Sequence, residues 1–247
     1  MKEQKIYNGK LKIKIDDRHR YWVEEKRIEN SVTGITGIID KSPALMGWAI
    51  KMMSEYLLGQ LVKEVEITEE IILRAKKEYR SAQKEATDIG TAIHEWIEKW
   101  IKGEEYEIPD DEKIQNGIMS FLKWQKEHKI KFNKENSERL VYSKKYNYVG
   151  TLDAIAEIDG KKVIVDFKSS NGLYNEYRYQ LAGYWNAYEE EFGKTFDYGI
   201  IVQFDKKTGN FNPVDNIIEI PREDYKKDLK AFLGLLNAKK RERELKK

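Results

Sequence analysis

Tyr148-Val-Gly-Thr-Leu-Asp-Ala-Ile-Ala-Glu-Ile158, then Asp159-Gly160, then Lys161-Lys-Val-Ile-Val-Asp-Phe-Lys168 is the stretch that decides the fold. Asp-Gly between two β-type runs is a strong hairpin signal, because both central residues of the tight turn need positive φ. A two-residue turn pairs Ile158 with Lys161. Counting back, Glu157 meets Lys162, Ile155 meets Ile164, Asp153 meets Asp166 and Thr151 meets Lys168 on one face. The other face sets Leu152, Ala154 and Ala156 against Phe167, Val165 and Val163. That face is wholly apolar and is expected to lie on the core.

Two carboxylates directly across a strand pair have Cβ atoms ~4.5–5.5 Å apart, and like charges there repel. Either a shared proton or a cation must offset them. Oxygen ligands suit Mg2+ or Mn2+. Lys168 is two residues beyond Asp166 and projects from the same face. Asp153, Asp166 and Lys168 are therefore the candidate catalytic residues, and the two aspartates the candidate metal ligands.

Composition narrows the alternatives. The chain has 247 residues, enough for a sizeable core, and its net charge of +2 does not announce a nucleic-acid partner. Charge is segregated instead. Six of the nine residues Lys239 to Lys247 are basic, and Glu104 to Glu112 holds six acids and no base, which permits a basic face. Cysteine is absent, which excludes disulfides, thiolate zinc and an iron–sulfur cluster. No apolar run reaches the ~18–20 residues of a membrane span, and no apolar segment follows Met1-Lys2-Glu3-Gln4-Lys5. A cytoplasmic protein without a membrane partner is expected. There is no G-x-x-x-x-G-K-[ST], H-E-x-x-H or G-x-S-x-G.

The rest of the chain reads as one α/β domain. Leu11 to Ile15 and Tyr21 to Val23 predict a small β unit. Pro43 to Gln60 has helical spacing. Thr68-Glu69-Glu70 starts a helical pattern that persists to about Ile101, with Gly90 a candidate break. Asp110-Asp111-Glu112 opens a helix to about His128. Arg139 to Ser143, Tyr148 to Ile158 and Lys161 to Lys168 predict strands. A helix over Leu173 to Phe192 follows, then strands over Phe196 to Phe204 and Asn216 to Ile220, and a terminal helix from Asp224. The order predicts a helical N-terminal portion packed on a mixed sheet.

Gly150-Thr-Leu-Asp153 followed by Asp166-Phe-Lys168 resembles the GxxD…(D/E)xK pattern of the PD-(D/E)XK nuclease superfamily. Gly90-Thr-Ala-Ile-His94 is similar to the GTxxH helix of its RecB-type members, and Gln180-Leu-Ala-Gly-Tyr184 to their QxxxY motif. A (D/E)xK alone is weak; four motifs in family order over residues 90–184 are specific. The resemblance implies a restriction-endonuclease-like core, a mixed central β-sheet flanked by helices. Within a single nuclease domain over 1–247, it divides a β/helical portion (1–85), the nuclease core (86–220) and a basic C-terminal helix (221–247).

The resemblance also implies that His94 and the backbone carbonyl of Phe167 join Asp153 and Asp166 in holding Mg2+ or Mn2+. It implies a metal-dependent DNA exonuclease of the stand-alone, phage-like type, acting in recombination or repair. Gln180 and Tyr184 would contact the DNA strand. Ser169 and Ser170 follow Lys168 directly and can donate to a phosphate. Glu138 reads equally as a surface acid or as a further ligand. Tyr177 and Tyr188 continue the Gln180–Tyr184 stripe and read as core packing. A structure-specific endonuclease, or a non-catalytic DNA-binding or assembly subunit, are the alternatives. A homo-oligomer or a recombination-protein partner is compatible with the kinship.

Overall fold

The computed structural model describes residues 2–246; Met1, and Lys247 of the basic C-terminal stretch, lie outside the described residues. In chain order its elements begin with β1 (Lys2–Ile6), β2 (Leu11–Ile15), β3 (Tyr21–Val23), β4 (Lys26–Ile28), α1 (Val32–Thr36), α2 (Ser42–Val62), α3 (Glu69–Ala75), α4 (Glu78–Lys102) and α5 (Glu112–Glu127). They continue with β5 (Lys131–Phe132), a 3-10 turn (Lys134–Asn136), β6 (Arg139–Ser143), β7 (Tyr148–Leu152), β8 (Ala154–Ile158), β9 (Lys161–Lys168), α6 (Asn175–Phe192), β10 (Tyr198–Gln203), α7 (Pro213–Asn216), β11 (Ile217–Pro221) and α8 (Arg222–Leu245). The chain divides into two compact units, Asp40–Ala92 and the remainder.

The larger unit is mixed α/β. Its five-stranded sheet runs β11-β10-β9-β8-β5, antiparallel throughout except for the parallel β9–β10 pair. Parallel neighbours need a long crossover, and α6 supplies it. The β8–β9 register is the expected one, from Ile158–Lys161 to Ala154–Val165. Asp159 (φ 50°) and Gly160 (φ 74°) both take the positive φ that the turn demands.

The expected strand over residues 148–158 is broken. Pairing with β9 stops at Ala154, and the preceding residues form β7, which pairs with β6 in a separate two-stranded sheet. Thr151 therefore pairs with Leu140 and not with Lys168. Leu152 also leaves the expected face. It packs in the core cluster of Ile155 and Ile164, away from the Phe167 side. Beyond the break a different ladder sets the side-chain alternation, so extrapolation from the turn fails there.

Helices cover both faces of the hairpin. Ile155, Ile164 and Ile201 pack with Leu181 and Trp185 of α6 and Phe232 and Leu236 of α8. On the other face Phe167 and Phe204 meet Phe121 and Trp124 of α5 at ring separations of 5.6–6.2 Å. A sheet buried on both faces reads as near-continuous apolar runs, which Val163 to Val165 and Tyr198 to Val202 are. The small sheet β1-β2-β3-β4 buries Ile6, Ile13, Tyr21, Val23 and Ile28 with Leu140 of β6 and Val149 of β7.

Local signals placed the helix starts. The Thr68 hydroxyl accepts the Ile71 amide, and the Asp111 carboxylate accepts the Lys113 and Ile114 amides. The break in the long helical pattern falls at Lys76–Lys77, and Gly90 stays helical. One interior glycine costs ~1 kcal/mol, which burial of Ile93, Trp96, Ile97 and Ile101 one to three turns later outweighs. In the smaller unit α2 packs on α3 but buries none of its residues. No described helix is long and apolar enough to cross a membrane.

Candidate metal centre

Asp153 occupies the one-residue gap between β7 and β8. It therefore ends two ladders at once. Continued by one residue, the β6–β7 ladder (last pair Arg139–Leu152) brings Glu138 to Asp153. The β8–β9 ladder (last pair Ala154–Val165) brings Asp166 to it. Two backbone bonds hold this junction. The Phe167 amide donates to the Asp153 carboxylate at 2.6 Å, and the Glu138 amide donates to the Asp153 carbonyl at 2.8 Å. Glu138 has φ +52°, a left-handed conformation that costs a non-glycine residue ~1–2 kcal/mol.

His94 projects from α4, and its ring lies edge-on to Phe167 with centroids 6.3 Å apart. Ligand atoms of His94, Glu138 and Asp153 all lie within 4.8 Å of one another. Asp166 stands outside that group but beside it. It is 1% exposed and forms an ion pair with the Lys168 ammonium at 2.5 Å. The Lys168 ammonium also lies over the Tyr177 ring, 4.9 Å from its centroid.

The charge states follow from this crowding. Burial and the nearby Asp153 push Glu138 up to about 8. Burial likewise raises Asp153, and burial with Asp153 beside it brings Asp166 to about 6 despite Lys168. Burial and the Lys168 charge push His94 down to about 4, so its imidazole is neutral and able to ligate. Burial works against the Lys168 charge, but Asp166 and Asp153 outweigh it and its value is raised. Three crowded acids are costly together, and a dication offsets them. Two or three carboxylates with one imidazole fit Mg2+ or Mn2+ as a donor set.

The structure thus brings His94, Asp153 and Glu138 into one group with the Asp166–Lys168 pair alongside. Of the two readings of Glu138, the further ligand is the one its position favours. Sequence gave only a weak signal, an acid just before a strand, because nothing local told which ladder that strand would join. Phe167 meets the centre through its amide and ring. Gln180 donates to the Tyr184 hydroxyl at 3.2 Å. Tyr184 is 5% exposed, and its ring lies where a Cβ on Gly150 would be 2.5 Å away. Ser169 and Ser170 are half-buried in the loop after β9. The Ser170 hydroxyl donates to the Gly172 carbonyl at 2.7 Å, and its own carbonyl accepts from Gln203 at 2.9 Å. Tyr188 is buried in the core as expected, whereas Tyr177 is only partly buried and faces Lys168.

No family model and no curated protein matches the chain. Among solved structures, the protein SSO0001 is similar over 49% of this chain at 18% identity, with a TM-score of 0.27. The match spans 60% of SSO0001's own length.

Proposed function

We propose that this chain is a metal-dependent deoxyribonuclease with a PD-(D/E)XK-type core, acting as an exonuclease on DNA ends. The observation that carries the reading is convergence. A helix (His94), the residue before β6 (Glu138) and the β7–β8 junction (Asp153) bring three ligand atoms within 4.8 Å, next to the Asp166–Lys168 pair. Structural ion pairs rarely need this many acids at one point, and perturbed carboxylates in a cluster mark functional sites.

His94, Glu138 and Asp153, with Asp166 adjoining, would hold Mg2+ or Mn2+. A metal held there would supply Lewis-acid polarisation of a phosphate and acidify a water for attack. Asp166 and Asp153 favour the Lys168 ammonium, which would orient the water and offset charge developing on the phosphate. Asp153 aligns β8 with β9 through the Phe167 amide and so sets the spacing of the acids. Because Tyr184 is buried, the strand contact of its motif falls to Gln180, which Tyr184 holds in place. Ser169 follows Lys168 directly in the chain and would donate to a phosphate there. Phosphate contacts of this kind make affinity fall with salt.

The test is digestion of end-labelled linear DNA with Mg2+, compared with Asp166→Ala and Lys168→Ala. Release of nucleotides from the ends by the wild type, lost in both folded variants, supports the reading. Equal digestion by all three proteins overturns it. Cutting of circular single-stranded DNA marks an endonuclease. Binding of DNA without Mg2+-dependent release marks a non-catalytic subunit.

A further inference from the structure

Lys168 ends β9 with its backbone held, since its carbonyl accepts the Phe204 amide at 2.8 Å. Its side chain is a flexible four-carbon stem carrying a point charge, and something must fix where that charge sits. Asp166 fixes one side at 2.5 Å. The same carboxylate adjoins the candidate cation, however, and a ligand drawn toward a cation is a weaker anchor for an ammonium. The second contact of the ammonium is the Tyr177 ring, at 4.9 Å. That ring is itself held. Tyr177 packs against the core cluster of α6, and Tyr174 meets it edge-on with centroids 5.5 Å apart.

Resting on the nuclease reading above, we propose that Tyr177 is a positioning residue for that hydrolysis, its ring face holding the Lys168 ammonium at the reacting phosphate. An aromatic face suits this place better than a further acid. It attracts an ammonium within ~6 Å but brings no negative charge to compete for the metal. Tyr177 also lies on the helix face that carries Gln180 and Tyr184, three and seven residues on, so one rigid helix sets both the lysine and the strand contact. Lys168, in this view, is placed by a residue nine positions later, across the β9–α6 loop.

Two measurements test the proposal. The first uses the wild-type protein with labelled lysine. The Hε signals of Lys168, assigned by their loss in Lys168→Arg, are shifted upfield by the ring current of Tyr177. Unshifted signals overturn the proposal whether or not the protein cleaves DNA. The second compares steady-state digestion by Tyr177→Leu and Tyr177→Phe. The leucine variant loses about threefold to thirtyfold in kcat, the span a cation–π contact covers, with KM for DNA nearly unchanged. The phenylalanine variant retains most of the wild-type kcat. Equal loss in both, or a loss confined to KM, overturns the proposal. A wild type with shifted lysine signals but no Mg2+-dependent cleavage overturns the nuclease reading, and with it the catalytic part of the Tyr177 role.

Discussion

The Asp153 carboxylate accepts the Phe167 amide at 2.6 Å, which locks the β7–β8 junction to the backbone between Asp166 and Lys168. One side chain thereby aligns a strand pair and, in the function proposed above, would also be a metal ligand. Asp153→Asn separates the two roles, since an amide oxygen still accepts from Phe167 but carries no charge. Expected is a fall in Mg2+-dependent cleavage of at least about a hundredfold, with a native circular dichroism spectrum and cooperative melting retained. Cleavage within a few-fold of wild type would remove Asp153 from the metal centre.

The crowded acids make the metal-free protein sensitive to pH. Glu138 and Asp166 are raised from ordinary values of 4.5 and 3.8 to about 8 and about 6. The folded state therefore binds their protons more tightly than the unfolded chain. That stabilisation is whole below the ordinary values and is lost as pH rises through 6 and 8. His94 works in the opposite sense. Lowered from 6.5 to about 4, it favours the fold at higher pH and loses that contribution as pH falls through this range. Between pH 6.5 and 8.5 Glu138 acts unopposed by His94, the Asp166 contribution being already lost near pH 6. In chelator, Tm should fall over this interval, Glu138→Gln should flatten the fall, and Mg2+ should raise Tm more at pH 8.5 than at 6.5. Parallel curves for wild type and Glu138→Gln would contradict the assigned shift.

Gly150 is needed for space. A Cβ there meets the Tyr184 ring at 2.5 Å and Val32 at 3.0 Å, both in the packed core. Gly150→Ala should cost ~1–3 kcal/mol, read as a drop in Tm of roughly 2–10 °C, and should displace Tyr184 and so Gln180. An unaltered melting curve would show that Tyr184 has room to move.

The basic C-terminal stretch holds the fold together. Lys239 donates to the Gly34 carbonyl, Lys240 to the Tyr146 carbonyl at 3.1 Å, and Arg243 to Asn30 at 3.3 Å. Three residues that by charge alone suggested a nucleic-acid face thus clip α8 to α1 and its neighbours. Lys239→Met should lower stability by ~1 kcal/mol, or ~2–4 °C in Tm. Arg241, which pairs with Glu244 on the same exposed helix face, should tolerate Arg241→Met without measurable loss. Equal melting temperatures for the two variants would contradict the clip.

Several features of this protein were decided by residues close together in sequence. Asp159-Gly160 alone dictates a tight turn, and two-residue alternation then dictates the β8–β9 register. Thr68 and Asp111 dictate where α3 and α5 start, because a cap is satisfied within three residues. The Asp166-x-Lys168 spacing is local for the same reason. What sequence could not decide depends on partners nine to 205 residues away. The break at Asp153 exists because two ladders compete for one strand. Glu138 joins His94 and Asp153 because β6 pairs with β7, and no residue near it encodes that choice. That Tyr177 both packs on the core and faces Lys168, and that Lys239 meets the Gly34 carbonyl, follows from how α6 and α8 pack. Burial and charge at those points are properties of neighbours that only the folded chain assembles.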